Sequence, residues 1–156
     1  MVSAGIVILL GGVVASMAVA IYVYSEERVN LVEVGPGERF TVGPLAFLIT
    51  LDGPREVDPD SAPLVGITVT AENPGRAEVS VSGGQFHLEA GGKRHQPVNM
   101  GLEGDLLRHV VGPGEQITRS TQFDVPYDPG ARYDLLVRPL KEHASGDVAR
   151  ICLANC

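Results

Sequence analysis

The run Leu64-Val65-Gly66-Ile67-Thr68-Val69-Thr70-Ala71-Glu72 decides the fold class. Val65, Ile67, Val69 and Ala71 fall on one side of an extended chain, and Thr68, Thr70 and Glu72 on the other. This period of two is that of a strand with one face in a core and one toward water. Asn73-Pro74-Gly75 follows at once and turns the chain.

Outward from this strand the same grammar repeats. Downstream, Val79 and Val81 alternate with Ser80 and Ser82, Gly83-Gly84 turns the chain, and Phe86 and Leu88 resume the pattern. Gly91-Gly92 closes a hairpin into residues 93–96, and residues 106–111 run to the turn Gly112-Pro113-Gly114. A long strand is predicted over 117–125 with Phe123 and Val125 inward. Tyr133, Leu135 and Val137 alternate in the next, and residues 148–153 make the last. Upstream, strands over 38–42 and 45–51 flank Gly43-Pro44, and 53–63, with Pro54, Pro59 and Pro63, reads as a loop. No stretch beyond residue 25 sustains a helical period. The expectation is an all-β, immunoglobulin-like sandwich of seven to nine short strands.

Three phrases resemble a known family. Residues 67–75 (ITVTAENPG) look like its V-x-V-x-x-x-N-x-G strand and turn, and Phe86-His87-Leu88 with Gly92 is similar to its F-x-L…G hairpin. Gly112-Pro113-Gly114-Glu115, then Phe123-Asp124-Val125-Pro126 and Tyr133-Asp134-Leu135, resemble its P-G-E…F-D-V-P…Y-x-L ending. The family is the DUF4352-type, telokin-like group of secreted immunoglobulin-like domains, and the resemblance spans residues 38–139. It implies a sandwich, an extracytoplasmic address and no catalytic residues. The family's usual lipobox cysteine is absent here.

Residues 2–24 (VSAGIVILLGGVVASMAVAIYVY) carry no charge. As a helix rising ~1.5 Å per residue they span the ~30 Å hydrocarbon layer. Tyr22 and Tyr24 end the run where amphipathic rings favour headgroups. A cleaved signal peptide would have a basic start and a shorter apolar core, although Ala18-Val19-Ala20 reads as a cleavage site. The expected organisation is a transmembrane signal anchor over 1–25, a stalk over 26–37 and a sandwich over 38–156. The C-terminal domain is expected on the extracytoplasmic side of the cell membrane, with the helix in contact with lipid. Gly12, Ser16 and Ala20 recur every four residues, a small-residue stripe suited to helix packing.

The 156 residues carry twelve basic and nineteen acidic side chains, a net charge of −7 that argues against nucleic acid. Candidate chemistry is sparse. Cys152 and Cys156 are the two cysteines, and outside the cytoplasm an internal disulfide is expected. Four residues of extended strand span ~13 Å, so the tail has to curl for the pair to meet. Free thiols, intermolecular bonds and metal are the alternatives; a binuclear copper site would need His and Met after the second Cys.

His87, His95, His109 and His143 show no ligand spacing. His87, between inward residues, is expected to face solvent, while His95 and His109 are placed to meet near Met100. Asp52, Glu56, Asp58 and Asp60 lack the spacing of a calcium loop. Ser120 and Thr121 have no base beside them. The expected function is therefore a membrane-anchored binding or scaffolding module, not an enzyme, with no cofactor or metal and with a protein partner or sister subunit. A structural subunit of an archaeal-type filament or archaellum stator is the alternative, because residues 5–20 loosely resemble a filament core helix.

Overall fold

The computed structural model describes residues 30–156 apart from 57, 102–103 and 144–145. The expected membrane segment, with Gly12, Ser16 and Ala20, lies outside the described residues. Among the described residues no helix is long and apolar enough to cross a membrane.

Twelve strands make up the described structure. In chain order they begin β1 (Leu31–Val34), β2 (Phe40–Val42), β3 (Leu45–Arg55), β4 (Leu64–Glu72), β5 (Val79–Ser82) and β6 (Phe86–Ala90). They continue β7 (Lys93–His95), β8 (Pro97–Val98), β9 (Arg108–Val111), β10 (Gln116–Pro126), β11 (Tyr133–Val137) and β12 (Val148–Ala154). One five-stranded sheet runs β1-β12-β11-β6-β7 and the other β2-β3-β4-β10-β8, while β5 and β9 pair separately. The fold is an all-β sandwich.

The alternation in β4 does what it promised. Val65, Ile67, Val69 and Ala71 are buried, against Phe47 and Ile49 of β3 and Phe123 of β10 in one core cluster. The facing sheet supplies Phe86, Leu88, Tyr133, Leu135, Val137 and Ile151. Phe47 joins the layers: it stacks on Phe40 at 5.8 Å and meets Phe86 edge-on at 5.9 Å. Such aromatic pairs add to the area they bury.

Two glycine turns set the ends of β6. A Cβ on Gly83 would lie 2.6 Å from the Leu106 carbonyl, so only glycine permits the close approach at which Gly83 N donates to Leu107 O (3.0 Å). Gly91 and Gly92, with φ of 56° and 73°, form the two-residue turn with positive φ that matches strand twist in a tight hairpin. Asn73, wholly buried, ties two loops together: its Nδ2 donates to Ala77 O (2.7 Å) and Val111 O (2.9 Å), and its Oδ1 accepts from Gly75 N (3.0 Å). Tyr133 is buried with its hydroxyl accepting from Asp128 N (2.8 Å) and donating to Asp128 O (3.2 Å).

Twelve strands stand among the described residues where seven to nine were expected, because short edge pieces such as Pro97–Val98 pair as strands too, and several segments differ as well. Residues 31–34, assigned to the stalk, are β1, parallel to β12. The loop expected from residue 53 begins later, because β3 continues through Gly53, Pro54 and Arg55 after an irregularity at Asp52. Only Leu45–Phe47 of β3 pair with β2, so Pro54 sits on a sheet edge, where a residue without an N–H is tolerated. The strand expected from 106 starts at Arg108, Leu106 being buried ahead of it. All five residues of β11 are buried, since β11 lies between β12 and β6 and neighbouring side chains cover its outer face.

Candidate functional site

The outer face of the β1-β12-β11-β6-β7 sheet carries charge in register. Leu88, Leu135 and Ile151 point into the core, so the residues alternating with them point out. Glu33, Arg150, Leu136 and His87 stand in one row across four strands, and Cys152, Asp134, Glu89 and Arg94 in the next. This arrangement sets Asp134 directly opposite Glu89, and like charges in that position repel.

Three arginines offset the repulsion. Arg150 Nη2 donates to Glu89 Oε2 (3.2 Å) and Asp134 Oδ2 (3.4 Å). Arg132 grips Asp134 with two bonds, Nε to Oδ2 (2.9 Å) and Nη2 to Oδ1 (3.2 Å). Arg94 Nη2 donates to Glu89 Oε1 (2.9 Å) across the hairpin. Every carboxylate oxygen of the pair thus accepts from a guanidinium. The hydrogen bond to Asp134, and then its charge, raises the pKa of Arg132 further.

Beside this network opens a cleft of about 540 Å³. The β6–β7 hairpin forms one wall, Arg132 and Arg150 the other, with Glu89 and Asp134 between them. Lys93 stands at its rim, exposed and without an ion pair or hydrogen bond among the described residues. Added Cβ atoms on Gly91 and Gly92 would meet nothing within 4 Å, so the turn leaves the cleft open.

The other candidates are scattered. Cys152 and Cys156 form a disulfide with Cα atoms 5.8 Å apart. The tail curls because Asn155 takes a left-handed conformation (φ 53°) while its Nδ2 donates to Pro129 O (3.0 Å) and Ala131 O (2.7 Å). His87 points to the outer face as expected and is half-buried there. Burial, then the charges of Arg138 and Arg94, lower its pKa. His95 lies on β7 and His109 on β9, in separate sheets, and His143 ends a short 3-10 turn.

Among the described residues no three His, Cys, Asp or Glu side chains gather as a metal would require. Asp52, Glu56, Asp58 and Asp60 are all exposed, and Asp58 Oδ1 accepts from Asp60 N (3.0 Å). Ser120 Oγ is hydrogen-bonded to Thr68 Oγ1 (3.3 Å), a pairing of hydroxyls that activates neither, and Thr121 is buried.

Sequence reading missed the charged rows because their members are distant in the chain. It also missed a buried polar knot in which Gln122 Nε2 donates to Val98 O (2.8 Å) and Asp105 Oδ2 (3.4 Å), with Arg55 Nη2 3.7 Å from Asp105 Oδ1. The alternation about Leu88, Leu135 and Ile151 was the available signal for the rows. Nothing in the sequence marked the knot.

No family model and no curated protein matches the chain. Solved structures do. MPT63, a secreted protein of Mycobacterium tuberculosis, aligns over 78% of this chain and 96% of its own with a TM-score of 0.58 and 16% identity. The yjhA protein of Bacillus subtilis aligns over 75% and 98% with a TM-score of 0.54 and 17% identity. The ycdA protein of Bacillus subtilis aligns over 74% of this chain but 38% of its own, with a TM-score of 0.53 and 16% identity. At such identities the likeness is one of fold: the chain shares its β-sandwich with MPT63, yjhA and ycdA.

Proposed function

We propose that the chain is a non-catalytic binding module, an immunoglobulin-like domain held at the outer face of a membrane by residues 1–25. The open charged cleft on the β1-β12-β11-β6-β7 sheet carries this reading. It presents hydrogen-bonding groups on paired strands, a rigid platform for recognition, and holds no nucleophile beside a base. The strand order supports the immunoglobulin-like assignment, with β3-β4-β10-β8 against β12-β11-β6-β7 in the places of the ABED and GFCC′ sheets. So does the Tyr133 hydroxyl, which bonds back to the backbone five residues upstream as in a tyrosine corner. The DUF4352-type resemblance and the description of MPT63 as secreted support the extracytoplasmic address.

Site-specific photocrosslinking in intact membranes tests the reading. A crosslinker at Glu33, exposed and in register with Arg150 beside the cleft, is expected to capture a species that the same group at Thr50, on the other sheet, does not. Equal capture at both positions, or none, would overturn it. Intact mass of the membrane-extracted chain tests the anchor, for which a chain beginning at residue 1 is expected and one beginning after Ala20 is not.

A further inference from the structure

We infer that the cleft takes an oxyanion, a carboxylate or phosphate group, with Lys93, Arg94 and Arg132 as its ligands; the inference rests on the binding-module reading and names the chemistry of its site. The chain as a whole is strongly acidic, yet four of its twelve basic side chains line this one cleft, against two carboxylates. Acids elsewhere count for little there. At physiological ionic strength a charge is screened beyond ~8 Å, so the local balance decides which ion enters. Among the described residues Glu33 also acts on Arg132, but it does not line the cleft.

Hydrogen-bonding capacity points the same way. The two carboxylates already accept from guanidinium groups at all four oxygens. The donors are far from used up. A guanidinium carries five N–H groups, and the three arginines make five bonds to these carboxylates in all. The Lys93 ammonium adds three more donors with no partner among the described residues. A cleft with surplus donors and occupied acceptors favours an acceptor-only ligand, and planar guanidinium forks suit oxyanions best. The Gly91-Gly92 turn leaves the approach clear of side chains.

The test is titration of the full chain, in a non-ionic detergent, with inorganic pyrophosphate and separately with poly-glutamate, followed by calorimetry. Saturable binding that weakens with added salt is expected. Lys93→Glu should weaken it roughly tenfold, the loss of one charge-assisted contact, while Lys93→Arg retains it. Lys93 has no partner among the described residues, so neither change is expected to disturb the fold; an unchanged thermal transition checks this. Lys141→Glu, an exposed lysine away from the cleft, should bind as wild type does.

Repeating the titration in micelles doped with phosphatidylglycerol separates the sources. Competition identifies a lipid headgroup, and its absence a soluble or polymer-borne anion. Absence of saturable binding, or a Lys93→Glu affinity within about twofold of wild type, overturns the inference. If the Glu33 crosslink forms while no anion binds, the oxyanion assignment fails and the binding-module reading stands. If anions bind but no crosslink forms, the site stands and the macromolecular partner falls.

Discussion

Replacing Asn73 should cost the sandwich heavily, because three hydrogen bonds converge on one buried amide. In Asn73→Ala the carbonyls of Ala77 and Val111 and the N–H of Gly75 lose their partners together. Val111 O is fully buried, and an orphaned buried group costs about 1–3 kcal/mol; the other two, partly buried, cost about 0.5–1.5 kcal/mol each. The expected loss is about 2–6 kcal/mol, a large share of the ~5–15 kcal/mol that holds a domain together. Urea unfolding of the full chain in detergent, followed by near-ultraviolet circular dichroism of the buried Tyr133, measures it. Guidance by Asn73 also fixes two turns at once, so loss of the loop geometry would add to the figure rather than reduce it.

Asn73→Asp sharpens the test. At neutral pH its carboxylate would face two carbonyl oxygens in a fully buried site, which raises its folded pKa above the ~3.9 of an unfolded aspartate. The folded state then holds more protons than the unfolded one between those two values. Stability must therefore fall as pH rises through that window and level off above the folded pKa. Below pH ~4 the neutral acid can donate one of the two lost bonds, so the variant should approach or exceed Asn73→Ala there and fall below it at neutral pH. A loss under about 1 kcal/mol in Asn73→Ala, or an Asn73→Asp difference that does not vary with pH, would refute the assignment of this residue as the tie between the loops.

Three further outcomes are expected. Tyr133→Phe should lose about 1–2 kcal/mol of stability by denaturant titration, since it removes both bonds to Asp128 and leaves the ring packed. His87 should titrate below its ordinary value of 6.5 by NMR, and the wild type should lose stability as pH drops below that value while His87→Gln does not. The sign follows from the lowered folded pKa, caused first by burial: the unfolded chain binds the proton more readily. Reduction of Cys152–Cys156 should cost about 2 kcal/mol at most, because a five-residue loop restrains the unfolded chain only weakly, and urea titration with and without reductant reads it.

The strands were legible wherever one face meets the core and the other meets water. β4, β5 and β6 show this, with Val79 and Val81 buried and Ser80 and Ser82 half-exposed. Where a strand is covered on both faces, alternation misleads. β11 alternates in sequence, yet Asp134 and Leu136 are buried alongside Tyr133, Leu135 and Val137. β1 was missed because it is four residues long and parallel to a strand more than a hundred positions away, and no hairpin signal links them. Gly53-Pro54 looked like a turn because both residues usually end strands; on an open edge they bend one instead. The Cys152–Cys156 pair was readable as to partner, while the device that closes it, Asn155 anchored to the turn at 129–131, was not.

The candidate site was illegible for a different reason. Each of its charges occupies an outward position that the local alternation allows, so nothing about Glu89, Arg94, Asp134 or Arg150 taken singly distinguishes it from a solvated surface residue. The distinction arises from register. Pairing Leu135 with Leu88 and Ile151 is what sets Asp134 against Glu89 and leaves Arg150 one row away, within reach of both. A two-residue slip of β12 along β11 would preserve every buried face and carry Arg150 off the pair. The core therefore tolerates several registers of the outer face, and the turns choose among them. Gly91-Gly92 fixes β6 against β7, while the Tyr133–Asp128 bonds fix where β11 begins. The charged cleft is thus a consequence of turn chemistry at residues that carry no charge in it, and changes at those turns should alter ligand binding before they alter the core.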